Sequence, residues 1–421
     1  MRNAHIVVDL GFGDAGKGRV VSELCGGKDI GCIVRYSGGP QNAHNVVWRD
    51  ERGKLFHHTY SQIGSSGSKF TPTLTLPSVP VNILSLVNET LVLSEKTGKH
   101  CGGIFVSRDC PLILPCHIEA NLWREKSRKK AHGTTGNGIG EVKMFEARFP
   151  NDAVRIGDLY DEELLLEKVT KYVAYSTSFG VKFEFDAKRY VSDFLKFIVE
   201  CVDADSFNIV SDTEITGLLE NTAGDVVFEG SQGVLLDADY GFFPHVTFGT
   251  MIPILPMTLC EKLSLAPIVY GVTRTYQTRH GAGPFPTEYA VSSEEHQYFS
   301  ALEKHNIGGA AGSMRYGSAD MNLLKYSAGC LRFNNVGIDN LVITHCDIDE
   351  RHLYSSEISA GYKIPQSREE QIELTEQLFR ETTRTRKSTL DELCEQARKI
   401  TGAIDVITIG SKVVGEGLTG L

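Results

Sequence analysis

No two of the ten cysteines form a C-x-x-C pair; Cys110 and Cys116 stand closest, and no histidine or cysteine at ligand spacing completes a zinc site. A disulfide framework and a zinc ribbon are therefore set aside, and reduced thiols that serve packing are expected. No stretch approaches about 20 uninterrupted apolar residues, so no membrane-spanning helix is expected. An excess of positive charge is also missing. The 421 residues carry a net charge of −10, which argues against an extended nucleic-acid face and leaves any anionic ligand to a local cluster of positive groups. Neither an internal repeat nor a low-complexity segment interrupts the chain, and no secretory leader is read at its start. What remains, with 41% hydrophobic and 23% charged residues, is an ordinary globular composition, expected in the cytoplasm.

Short apolar runs alternate with helical patterns. Strands are expected over 4–10, 30–36, 102–107, 225–229, 266–275, 340–345 and 404–409. Helices are expected over 16–26, 80–97, 117–129, 161–176, 189–203, 318–333, 367–382 and 388–400. The alternation predicts an α/β fold, a large twisted and mostly parallel sheet with helices on both faces. Residues 148–224 read as a helix-rich insertion between two sheet-forming blocks of one domain spanning 1–421.

The first strand runs directly into Gly11-Phe12-Gly13-Asp14-Ala15-Gly16-Lys17-Gly18. Glycines at this spacing let backbone N–H groups close around phosphate oxygens, and Lys17 with the helix start adds positive charge. Two details are unusual for such a loop. Gly18 stands where a magnesium-holding Ser or Thr is expected, and the carboxylate of Asp14 sits inside the loop. An anion in a phosphate nest is costly unless it binds a metal, takes a proton from substrate, or caps the helix.

Five further segments are rich in glycine and polar residues: Arg35-Tyr36-Ser37-Gly38-Gly39-Pro40-Gln41-Asn42-Ala43-His44-Asn45, His132–Gly140, Phe228-Glu229-Gly230-Ser231-Gln232-Gly233 continuing to Thr247, Thr278–Glu288, and Thr344-His345-Cys346-Asp347. In this order they resemble the adenylosuccinate synthetase family, GTP-dependent ligases that join IMP to aspartate. The resemblance is strong over 1–145, 225–290 and 317–348, returns near 404–411, and is faint over 150–224 and 350–400.

The resemblance implies a P-loop-like GTP-binding ligase fold, a homodimer, Mg2+ as cofactor, and small-molecule partners (GTP, an IMP-like nucleotide and an amino acid). It implies that Asp14 is the base that accepts the N1 proton of IMP (or dIMP) and ligates the metal together with Ala43, that His44 is the acid, and that Lys17 shares in catalysis. For GTP it points to Gly13, Gly16, Lys17, Gly18, Asp347, Gly410 and Ser411; for IMP to Asp14, Gln41, Asn42, Thr134, Thr135, Arg148, Gln232 and Thr247. His44 also reads as a hydrogen-bonded structural residue, and Asp347 as a loop cap.

The departures are concentrated at the donor site. The family's arginine-rich aspartate-binding loop becomes Ala310-Ala311-Gly312-Ser313-Met314-Arg315-Tyr316, which leaves Arg315, with Ser313 beside it, as the candidates for the amino acid. His345 replaces the lysine of the guanine motif and Gln41 an asparagine. Alternatives are therefore a paralogous ligase with another amino-acid donor or purine, such as dGMP, or a GTP sensor without ligase activity. Phage relatives that act on dGMP carry Ser at the Asp14 column, so retention of Asp14 favours a 6-oxopurine without a 2-amino group.

Overall fold

The computed structural model describes residues 1–128, 134–201, 207–303, 313–359, 361–410 and 412–419. Ten strands form one sheet, in the order Leu418–Thr419, Asp405–Ile409, Asn340–Thr344, Ala266–Arg274, Asn3–Asp9, Asp225–Glu229, Ile30–Arg35, Thr73–Thr75, Ile104–Ser107 and Phe207–Val210. Every pairing is parallel except the last two-residue strand against Asp405–Ile409. All seven strands expected from the sequence lie in this sheet.

The central strand shows why the sheet is buried on both faces. Ile6 and Val8 enter a core shared with Leu323, Leu324 and Leu331 of the helix Met321–Phe333, while Val7 turns the other way. There it meets Val20, Val21 and Leu24 of the helix Lys17–Gly27. Successive side chains of a strand point to opposite faces, so an unbroken apolar run needs cover on both. Asn3–Asp9 lies between Asp225–Glu229 and Ala266–Arg274, where chain order reverses. Ligands in open parallel sheets bind beyond the strand carboxyl ends at such a point.

Residues 148–224, expected as a helix-rich insertion, also contribute to the sheet. They hold the helices Glu162–Thr177, Ala187–Cys201 and Asp212–Asn221, but also supply the edge strand Phe207–Val210. Leu165, Val169, Tyr172, Val191 and Phe194 share a core with Ile104 and Val106 of the sheet. Strands of two to four residues, such as Thr73–Thr75, Leu418–Thr419 and Phe207–Val210, offer too few positions for a period-2 pattern. Among the described residues, no helix is long and apolar enough to cross a membrane.

Leu331 is fully buried between helix and sheet. Leu331→Ala is expected to lower stability by about 2–5 kcal/mol, read as a lower denaturant midpoint with an unchanged slope.

Candidate functional site

The glycine-rich loop leaves the central strand at Asp9, and that buried carboxylate holds both ends of it. Its Oδ1 accepts from the Gly11 N–H at 2.8 Å; its Oδ2 accepts from the Ala15 N–H at 3.1 Å and from Lys17 Nζ at 2.8 Å. Gly13, Asp14 and Gly16 are left-handed, with φ of 93°, 56° and 92°. A Cβ at Gly16 would lie 3.2 Å from Thr344 Cγ2, and the Thr344 hydroxyl donates to the Ala15 carbonyl. Gly18 has a steric reason for lacking a side chain, since a Cβ there would lie 2.6 Å from His44 Cβ.

Asp14 caps no helix. The cap position is Gly16, with no side-chain bond, and the Asp14 carboxylate lies 3.2 Å from His280 Nε2. Its backbone carbonyl accepts from Arg274 at 3.0 Å. Burial pushes its pKa up, but the His280 hydrogen bond and the charges of His280, Lys17 and Arg274 outweigh this and lower it. The carboxylate is thus ionised at neutral pH and remains two-fifths exposed. Arg274 is itself paired with Glu303 and lies 4.1 Å from the Tyr276 ring centroid.

His44 begins the hairpin strand His44–Arg49, and its Nδ1 lies 2.6 Å from Glu229 Oε1. Glu229 ends a central strand with its side chain fully buried. Burial raises its pKa, yet Arg35 at 3.1 Å, His44 and Ser65 bring it down to about 2. Burial also lowers the pKa of His44, against the opposing pull of Glu229. His44 is therefore an oriented imidazole with Nδ1 engaged by a carboxylate.

The remaining nominated residues fall into three groups. Around the purine candidates, a Cβ at Gly39 would lie 3.3 Å from Ile139 Cδ1 and one at Gly140 3.9 Å from Phe248. The Gln41 loop, the start of the helix Ile139–Arg148 and the turn bearing Thr247 therefore converge. Both amide atoms of Gln41 are buried without a partner among the described residues. Thr134 accepts from the Gly136 N–H and bonds Asn121, whereas Thr135 is exposed. Asn42, expected as an IMP contact, has its amide engaged by Ser231, Ser61 and Gln232. Arg148 is exposed at the far end of its helix, about 13 Å along the axis from Ile139.

At the other side of the loop, Asp347 is exposed and abuts Gly410, whose added Cβ would lie 3.4 Å from the Asp347 N. Ser411 lies outside the described residues, as do Ala310, Ala311 and Gly312. At the donor candidates, Ser313 is exposed, but Arg315 is not an open clamp. Its Nε and one terminal nitrogen grip Glu288, at 2.7 and 2.5 Å, and the other nitrogen bonds the carbonyls of Gly281 and Gly283. An external carboxylate would have to displace Glu288.

Asp9, Glu229, Arg274 and His280 are the site residues that sequence reasoning passed over. Each stands at or just beyond a strand's carboxyl end; a charged residue closing an apolar run is the signal that could have found Asp9, Glu229 and Arg274, whereas His280 follows the polar strand Tyr276–Arg279 and carries no such signal. Among the described residues, no group of three or more His, Cys, Asp or Glu side chains is arranged to hold a metal.

The sequence model of one family, described as adenylosuccinate synthetase, matches residues 6–403. The chain is 33% identical over 378 residues to the adenylosuccinate synthetase of Buchnera aphidicola, covering 86% of this chain and 81% of that protein. It is 32% identical over 357 residues to that of Thermotoga maritima, covering 82% and 80%. Among solved structures, it resembles the fully ligated adenylosuccinate synthetase of Plasmodium falciparum, with a TM-score of 0.74, 20% identity and 99% of each chain covered. It also resembles the cyanophage S-2L succinoaminodeoxyadenylate synthetase bound to dGMP and dATP, with a TM-score of 0.64, 14% identity and 100% and 95% covered.

Glu229 yields a pH dependence with a definite sign. A carboxyl depressed in the folded state contributes stability above its unfolded pKa and loses it as pH falls through the folded value. Stability is expected to fall between about pH 4.5 and about pH 2 in denaturant titrations. Glu229→Gln is expected to be less stable at pH 7, because Arg35 is left buried without its anion, and to show a shallower acid slope.

Proposed function

The chain belongs to the adenylosuccinate synthetase family of GTP-dependent C–N ligases, and on that premise we propose that it phosphorylates O6 of IMP or dIMP with GTP and condenses the product with L-aspartate. The observation that carries this reading is the placement of an ionised, half-exposed carboxylate, Asp14, at a left-handed bend of the loop that starts the Lys17 helix, with His44 packed on the next residue of that helix. A sensor that only binds GTP has no use for a base and an oriented imidazole beside its phosphate loop.

In this mechanism Asp14 takes the proton from N1, which makes O6 nucleophilic toward the γ-phosphorus. His44, held through Nδ1 by Glu229, turns Nε2 to the oxygen on which charge develops. Negative phosphoryl groups raise the pKa of an adjacent imidazole, so His44 carries its second proton when nucleotide is bound. The loop amides and Lys17 stabilise the transferring group. Attack of the α-amino group on C6 then expels phosphate.

A single exposed carboxylate without a side-chain cage fits an ion that arrives with nucleotide phosphates, as magnesium does. Asp14 and the Ala43 carbonyl would hold Mg2+, which when bound supplies charge neutralisation on the phosphates. We further read Thr134, Thr135, Gln41, Gln232 and Thr247 as the IMP contacts, Gly13, Gly16, Gly18, Asp347, Gly410 and Ser411 as the GTP contacts, and the chain as a cytoplasmic single-domain protein working as a homodimer, with Arg148 reaching the partner.

The Arg315–Glu288 pair favours a second reading for the donor alone, in which another amino acid, or aspartate held by other residues, is used. Phosphate release from GTP, measured with IMP and each amino acid, decides. Release dependent on both IMP and aspartate supports the first reading, release with a different amino acid the second, and no release under any pairing overturns both. Asp14→Ala is expected to lower turnover by at least about 100-fold with an unchanged thermal midpoint; full turnover by that variant removes the assigned base.

A further inference from the structure

Glu89 is a buried carboxylate that the mechanism above leaves without a task. It lies on the helix Ile83–Thr97 and is 7% exposed. A charge so placed is costly unless it gathers donors. Three successive backbone N–H groups supply them. Those of Ser61 and Ile63 reach one carboxylate oxygen, at 2.7 and 3.3 Å, and that of Gln62 reaches the other, at 2.8 Å. The Gln62 side chain ties the same turn to the helix start, through the Asn82 backbone and the Ser85 hydroxyl.

The turn held in this way is the one that places His44. Its first residue, Ser61, follows Tyr60, which pairs with His44 at the end of the hairpin strands His44–Arg49 and Leu55–Tyr60. The Ser61 hydroxyl donates to the Pro40 carbonyl at 2.7 Å, and its own carbonyl accepts from Asn42 at 3.3 Å. The loop leading into His44 therefore closes on Ser61. At the far end of the turn, the Ser65 N–H donates to one Glu229 oxygen at 3.0 Å. Its hydroxyl donates to the other at 2.5 Å, the same oxygen that engages His44 Nδ1. Glu89 thus fixes a segment that meets both the backbone of His44 and the carboxylate that orients its ring.

We propose that Glu89 is a positioning residue for His44: its ionised carboxylate gathers the 61–63 amides, and the turn loosens when that carboxylate takes a proton. The inference rests on the reading of His44 as the acid in phosphoryl transfer. Protonation makes one oxygen an O–H donor that faces N–H donors, so at least one of the three bonds is weakened or lost. Burial pushes this carboxyl up to about 7, against the pull of the three N–H groups and of Arg35. The other titratable groups that face it are His58, Tyr60 and Cys101. His58, 4.0 Å away, is pushed down to about 4 by burial and by the charges of Lys96 and His57, so it is neutral at pH 7. Burial pushes Tyr60 up, and Cys101 up to about 11. Among these groups Glu89 alone changes charge near neutrality.

The test is the pH profile of kcat for IMP- and GTP-dependent phosphate release, in the wild type and in its neutral isostere Glu89→Gln. The wild type is expected to lose turnover as pH falls through about 7. Well above that pH, Glu89→Gln is expected to turn over about tenfold more slowly, with KM for GTP and for IMP each within about twofold. Its profile is expected to lack the wild type's acid limb, so that the two rates converge below neutrality. A glutamate that only braces the fold would lower the thermal midpoint and leave the limb in place, and that result overturns the inference. A rise in either KM as large as the fall in kcat overturns it too. Should Glu89→Gln fail to fold by thermal melting, Glu89→Asp keeps the charge with a shorter reach and is expected to lower kcat and move the limb; an unmoved limb overturns the inference. Each of these failures leaves the proposed function standing while the wild type turns over IMP. No turnover of any purine monophosphate by the wild type removes both.

Discussion

The Asp9 carboxylate, sunk at the end of the central strand, is the group on which the geometry of the phosphate loop depends. Three donors converge on it, two from the loop backbone and one from the Lys17 ammonium. The loop can therefore adopt left-handed turns at Gly13, Asp14 and Gly16 without drifting, because its entry and exit are fixed to one side chain. Removing a single partner of such a buried pair leaves an uncompensated charge, which is the expensive case for a buried ion. The helix start, the Asp14 projection and the packing of His44 on Gly18 all inherit their positions from this anchor.

Around it, positive and negative groups are matched pairwise: Lys17 with Asp9, Arg35 and His44 with Glu229, Arg274 with Glu303, His280 with Asp14, and Arg315 with Glu288. A chain with a net charge of −10 can thus build a cluster of cations without leaving them mutually repelled. The pairing also separates two kinds of residue. Glu229 and Asp9 are fully buried and hold other groups in place, whereas Asp14 and His280 face the opening.

Much of this was legible before any coordinates, for identifiable reasons. The glycine-rich loop and the Arg35–Asn45 segment carry local chemistry, in which spacing alone implies a backbone conformation, so Asp14, Lys17 and His44 could be named. The long helices and the buried parallel strands announced themselves by period and by β-branched runs. What stayed hidden depends on distant parts of the chain. Glu229 meets His44 across 185 residues, His280 meets Asp14 across the sheet, and Asn42 reaches Gln232 across 190. The partner of Arg315 stayed hidden for the same reason: Glu288, on a neighbouring segment, occupies its fork. The short helices Ile254–Lys262 and Glu294–Leu302 span nine residues each, fewer than three turns, and gave no sustained pattern to read.

Asp14 and Gln232 are both non-glycine residues held at positive φ, a conformation that carries about 1–3 kcal/mol of backbone strain at each position. Glycine would relieve that strain at either place. Selection for heat resistance alone would therefore push these two positions toward glycine and remove both side chains. At these two places the fold carries a side chain at some expense of durability.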